Sequence, residues 1–178
     1  MLLNYNNKKP KSEILTLSQK IQKRKFNINE SYLIKGDNFK ALSSMMETYK
    51  NKIDLIYIDP PYNTNRIFKS STNRNNTISS EENGEIAYSD NLTQEEYFEF
   101  IRERLILLRE LLSEEGSIYL HIDYKIGHYI KIIMDEVFGV ENFKNDISRI
   151  KSNPKNFGRK AYGNQKDMIL FYAKNSNK

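Results

Sequence analysis

Asp59-Pro60-Pro61-Tyr62 groups residue types that together can do chemistry. Two of the chain's four prolines are adjacent there, directly after the apolar run Ile53-Asp54-Leu55-Ile56-Tyr57-Ile58. The grouping suits the transfer of a methyl group to an amine conjugated into an aromatic base. Such a nitrogen is a poor nucleophile, because its lone pair is delocalised into the ring. Acceptors for its two N–H hydrogens favour a tetrahedral nitrogen and draw the lone pair toward the incoming methyl. The Asp59 carboxylate can accept one hydrogen. A backbone carbonyl, most simply that of Pro60, can accept the other. Consecutive prolines restrict φ and stiffen that carbonyl's direction. The result is electrostatic preorganisation for a nitrogen that becomes cationic as it is alkylated. Tyr62 offers a ring face on which an extruded base can stack. The bland alternative, a turn-forming aspartate after a strand, leaves the paired prolines unexplained.

The elements that must position this tetrapeptide are legible in the apolar spacing. Ile53–Ile58 reads as a buried parallel strand, ended by Asp59-Pro60-Pro61 because proline cannot donate to a ladder. Upstream, Ser31–Lys35 reads as a short strand stopped by Gly36-Asp37-Asn38. Phe39, Leu42, Met45 and Met46 recur at helical spacing and predict a helix over about 38–49. Residues 13–25 can form a short basic helix, and residues 4–12 read as a loose polar tail. Thr93-Gln94-Glu95-Glu96 is a capping box that opens a helix with Tyr97, Phe98, Ile101, Leu105, Leu108 and Leu112 on its core face. Gly116 is read as its end. Ser117–Ile122 is the next strand, and Ile126 to Val137 marks another helix closed by Gly139. Asp146–Ile150 and Met168–Tyr172 are two final strands. The fold class expected is α/β, an open sheet with flanking helices. Residues 63–91 lack periodicity and are dense in Asn, Ser and Thr, the mark of a long functional loop or insertion.

With 178 residues the chain has room for one domain. It has no cysteine, which excludes disulfides and thiolate zinc sites. No apolar run approaches a membrane span and no signal peptide is visible, so a cytoplasmic location with no membrane partner is expected. The net charge of +5 is segregated. Residues 1–25 carry seven basic and one acidic side chain, and residues 149–178 carry eight and one, while the middle carries 13 basic and 21 acidic. Two basic ends on an acidic body fit contact with a polyanion; solvated ends in a Lys- and Asn-rich chain are the alternative. The connection 151–167, rich in Lys, Arg and Asn, can hold phosphates or be a solvated loop. The two histidines, His121 and His128, lie on different elements, which argues against a metal site. His121 is either at a strand end near the pocket or a satisfied core histidine.

The tetrapeptide and its flanks, Asp54 to Thr64, resemble the amino-methyltransferase motif of beta-class DNA methylases, which include modification enzymes of type II and type III restriction systems. The likeness continues through Ile34-Lys35-Gly36-Asp37-Asn38, Tyr88-Ser89-Asp90, Gly116 to Asp123, Asp135 to Gly139 and Asp167 to Lys174. A tryptophan near Arg149 and a histidine near Gln165, frequent in the family, are absent. The resemblance implies a site-specific DNA methyltransferase of a restriction-modification system that moves methyl from S-adenosyl-L-methionine to a flipped base. Asp at position 59 leans toward adenine N6 over cytosine N4. It also implies that Gly36, Asp37 and Asn38 touch the cofactor, with Asp37 near its adenine. A carboxylate at a strand end suits that role, although the same residues can simply turn the chain and cap the helix.

The resemblance further implies a partial domain. Residues 31–178 correspond to the catalytic part, with a mobile loop at 63–92, and residues 1–30 form a basic N-terminal extension. Beta-class enzymes place their glycine-rich cofactor turn downstream of these motifs. The seven glycines here (36, 84, 116, 127, 139, 158 and 163) form no such cluster. The expected fold is therefore an incomplete Rossmann-like methyltransferase sheet that lacks the glycine-rich cofactor-binding strands. Those strands would lie between the strand ending at Asp37 and the strand ending at Asp59. The expectation is a chain inactive alone, with DNA, a complementary methyltransferase chain and a cognate restriction endonuclease as candidate partners. A non-catalytic, nucleic-acid-binding remnant is the competing reading.

Overall fold

The computed structural model describes residues 2–61, 67–69, 86–89, 92–151 and 163–177, with backbone alone for 67–69 and 86–89. Its elements in chain order are α1 (Lys11–Gln19), α2 (Asn38–Tyr49), β1 (Ile53–Ile58), β2 (Ile67–Lys69), β3 (Ile86–Ser89), α3 (Gln94–Leu111), β4 (Leu112–Ile122), α4 (Tyr124–Phe138), β5 (Phe143–Ile150) and β6 (Lys166–Ala173). The main sheet has the order β1-β4-β6-β5. β1 runs parallel to β4, while β6 is antiparallel to both β4 and β5. The expected α/β class is what forms.

Alternation along β4 divides the sheet into two faces. Ile118, Leu120 and Ile122 are fully buried and belong to the core that α3 and α4 cover with Tyr97, Leu105, Ile130 and Ile133. Tyr119 and His121 point to the opposite face, where Tyr119 stacks on Phe171 with ring centroids 4.4 Å apart. The capping box on Thr93 forms as read, with Glu96 N donating to Thr93 Oγ1 and Thr93 N donating to Glu96 Oε2.

The end of α3 corrects the sequence reading. The helix stops at Leu111, and Gly116 lies inside β4. A Cβ at Gly116 would come within 2.8 Å of the Ile53 carbonyl oxygen, where the β1–β4 register shifts. Glycine is needed there for close backbone approach, not for helix termination.

Ser31–Lys35 forms no strand. Its residues have strand character, but none of the described strands pairs with them, and Leu33 is fully exposed. A strand is stable only against neighbours, so local preference is not expressed. On β1, Leu55 and Tyr57 are also exposed, and among the described residues the strand pairs on one side only, with β4. Among the described residues, Ser31–Lys35 thus has no ladder and β1 has one on a single side.

The N-terminus is not a loose tail. Tyr5 Oη donates to Glu99 Oε2 at 2.6 Å, and Lys8 Nζ donates to Glu136 Oε2 at 2.6 Å. Buried Arg102 donates to Glu136 Oε1 at 2.8 Å and to the Lys9 carbonyl at 3.0 Å. Charged pairs on α3 and α4 therefore clamp a segment whose sequence alone reads as solvated. Burial, and then the hydrogen bond to Glu99, push the Tyr5 phenol well above its ordinary value, so it stays a donor. Within 63–91 the described residues are β2 and β3, which pair antiparallel; the rest of the expected loop lies outside the described residues. Among the described residues no helix is long and apolar enough to cross a membrane.

Candidate active site

β1 delivers Asp59 to its carboxyl end, where open α/β sheets bind ligands. The Asp59 side chain is 54% exposed. The next two residues are fixed from above by α3: Tyr97 Oη donates to the Pro61 carbonyl at 2.6 Å. Tyr97 is almost fully buried, so its hydroxyl needs a buried acceptor, and it finds one at this turn. The Pro61 carbonyl is thereby held by proline geometry and by a hydrogen bond. Tyr62 lies outside the described residues.

Behind Asp59 stands His121. Its Nδ1 is 3.4 Å from Asp59 Oδ1 and its Nε2 is 3.5 Å from Asp167 Oδ2. Asp167 is buried and also pairs with Arg149 (3.1 Å) and Lys151 (2.5 Å). Burial works to raise the Asp167 carboxyl. The Lys151 ammonium and the His121 ring oppose it and hold the group below the usual carboxylate range. His121 is buried and adjoins the candidate catalytic carboxylate, so it stands at the strand end beside the candidate site. Among the described residues no cluster of ligands could hold a metal ion.

Gly36, Asp37 and Asn38 lie at the start of α2. Gly36 has φ +145°, a conformation that disfavours a side chain. Asp37 caps α2, accepting from Lys40 N at 2.9 Å. Its other oxygen lies 3.4 Å from Arg104, whose Nε donates to Asn38 Oδ1 at 2.5 Å. The Arg104 guanidinium also sits 3.6 Å from the centre of the Phe100 ring. Burial lowers its pKa from the ordinary arginine value, against the pull of Asp37 and Glu103.

Tyr97 and Arg104 are seven residues apart on α3, two helical turns, so one helix face holds both candidate motifs roughly 10 Å apart along its axis. The apolar spacing by itself marks this stripe as core packing. The available signal was a buried phenol, which needs a polar partner, with a guanidinium at the same helical phase.

A strand that ends in Asp-Pro-Pro, with a helix gripping the turn that follows, belongs here to an α/β protein. The family model described as DNA methylase (N6_N4_Mtase) matches residues 53–178, and the chain belongs to that family. It is 42% identical over 139 residues to the type II methyltransferase M.EcaI of Enterobacter cloacae, covering 78% of this chain and 28% of that protein. It is 33% identical over 163 residues to the Mod subunit of the type III restriction-modification enzyme EcoPI of Escherichia phage P1, covering 83% of this chain and 25% of that one. The chain thus spans about a quarter of the length of these curated relatives. The fold is shared with the PvuII DNA methyltransferase (cytosine-N4-specific), at TM-score 0.50 and 14% identity over 75% of this chain and 46% of that one.

Proposed function

We propose that this chain supplies the amine-activating part of a site-specific DNA methyltransferase of a restriction-modification system, with adenine N6 as target. One observation carries the reading: an exposed Asp59 carboxylate at the end of β1, beside a proline turn that Tyr97 pins through the Pro61 carbonyl. Asp59 accepts one amine hydrogen and the Pro60 carbonyl accepts the second, so the nitrogen lone pair turns toward the methyl donor. Asp at position 59 favours adenine over cytosine, by likeness to the beta class. Tyr62 is assigned the stacking role on the extruded base.

S-adenosyl-L-methionine, when bound, supplies a methyl group on a sulfonium. The residues present fit one end of it. The Asp37 side chain is about half exposed, and each of its oxygens keeps a lone pair beyond the contacts to Lys40 and Arg104. Asp37 would accept from the cofactor's adenine amino group, with Gly36 and Asn38 shaping the turn. The open side of β1 is the place where further strands would complete the sheet, from this protein or from a complementary chain. DNA is the substrate partner, and a restriction endonuclease is the expected functional companion.

The test is methyl transfer by the protein expressed from its locus with flanking DNA retained, read by mass spectrometry of digested DNA. The expected product is N6-methyladenine, absent after Asp59→Ala. N4-methylcytosine would overturn the target assignment, and undiminished methylation by Asp59→Ala would overturn the mechanism.

A further inference from the structure

Asp59, His121, Asp167 and Arg149 form a row across all four strands of the main sheet, in the spatial order β1, β4, β6, β5. The register places them on one face. Ile58 pairs with Leu120, which brings Asp59 level with His121. His121 pairs with Ile169, whose same-face neighbour on β6 is Asp167, and Asp167 pairs with Arg149. The exposed carboxylate at one end is therefore backed by a buried imidazole. The imidazole is backed by a buried carboxylate, and that carboxylate is held by Arg149 and Lys151 near the surface.

Burying Asp167 and His121 together is costly, and their contacts with Asp59, Arg149 and Lys151 are what offset it. This suits a device that holds one group in a set direction. The group at its open end is Asp59, a short side chain at a strand terminus, whose use as an acceptor depends on where its oxygens point.

We propose that His121 is a positioning residue for the Asp59 carboxylate, itself held in place by Asp167. The inference rests on the reading of Asp59 as the amine acceptor. His121 touches neither base nor cofactor in this role; it acts through Asp59.

Two measurements test it. The chain has only two histidines, so selective ¹⁵N labelling of imidazole gives resonances that are simple to assign, with His128 as the internal control. Asp59→Asn should shift the Nδ1 resonance of His121, Asp167→Asn should shift its Nε2 resonance, and His128 should stay in place. In single-turnover methylation by the protein expressed from its locus, His121→Asn should lower the rate about tenfold (~1.4 kcal/mol) while KM for DNA and cofactor stays within about twofold. In an Asp59→Asn background the same change should have almost no effect. Thermal unfolding of each variant checks that the fold is retained, and His121→Gln serves where His121→Asn is unstable. An unchanged rate for folded His121→Asn, or an equal loss in the Asp59→Asn background, overturns the proposal. Ring resonances that do not move, with Asp59→Ala inactive, also overturn it and leave the functional reading standing. Activity retained by Asp59→Ala, with ring resonances that do move, overturns the functional reading and any catalytic use of the row.

Discussion

The Tyr97 hydroxyl donates to the Pro61 carbonyl at 2.6 Å, joining the core face of α3 to the turn that carries Asp59. The bond converts helix packing into placement of the site. Tyr97→Phe keeps the ring and removes the donor. It should lower stability by about 0.5–1.5 kcal/mol, the usual net worth of such a bond. A denaturant midpoint that falls together with the methylation rate at saturating substrates is the expected pattern. A stability loss without any rate loss would confine Tyr97 to packing.

Asp59→Asn keeps the size of the side chain but removes its charge and puts an amide where the acceptor stood. The methylation rate should fall by about a hundredfold or more, the scale of losing one preorganised group at a reacting centre. DNA affinity measured by fluorescence anisotropy should change little, because Asp59 makes no phosphate contact in this scheme.

Arg104 holds Asp37 and Asn38 from the same face of α3. Arg104→Ala frees both side chains at the proposed cofactor end. KM for S-adenosyl-L-methionine should rise about tenfold, corresponding to ~1.4 kcal/mol, with KM for DNA unchanged. If both constants rise equally, Arg104 acts through the general fold.

Asp167 gives a pH dependence of definite sign. Burial works to raise its folded-state pKa, but Lys151 and His121 outweigh it and hold the pKa below the ordinary carboxylate value. Its stabilising contribution is therefore present above the unfolded value of about 3.9 and is lost as pH falls through the folded value. Urea midpoints of the unsubstituted chain and Asp167→Asn should differ at neutral pH and converge below about pH 4. A gap independent of pH would show that the row contributes through shape and not through charge.

Gly116→Ala would bring a methyl within 2.8 Å of the Ile53 carbonyl oxygen, at the parallel junction of β1 and β4. The cost should be about 1–3 kcal/mol, the range for overpacking. Since β1 carries Asp59, a lower unfolding temperature and a lower methylation rate are both expected.

Much of this was legible from residue order. Asp59-Pro60-Pro61 after an apolar run, the capping box at Thr93 and Glu96, and the apolar stripe of α3 are local signals, because each depends on neighbours within a few residues. They determined the class of the protein, the position of the candidate carboxylate and most of the helices and strands. What only the tertiary structure decided depends on groups far apart in sequence. His121 meets Asp59 and Asp167 because β4 pairs with both β1 and β6. The Lys8–Lys9 segment is tied down because Glu99, Arg102 and Glu136 converge on it from two helices. Ser31–Lys35 stays outside the sheet for the complementary reason: a strand needs a partner, and partners are set by topology, not by the strand's own residues.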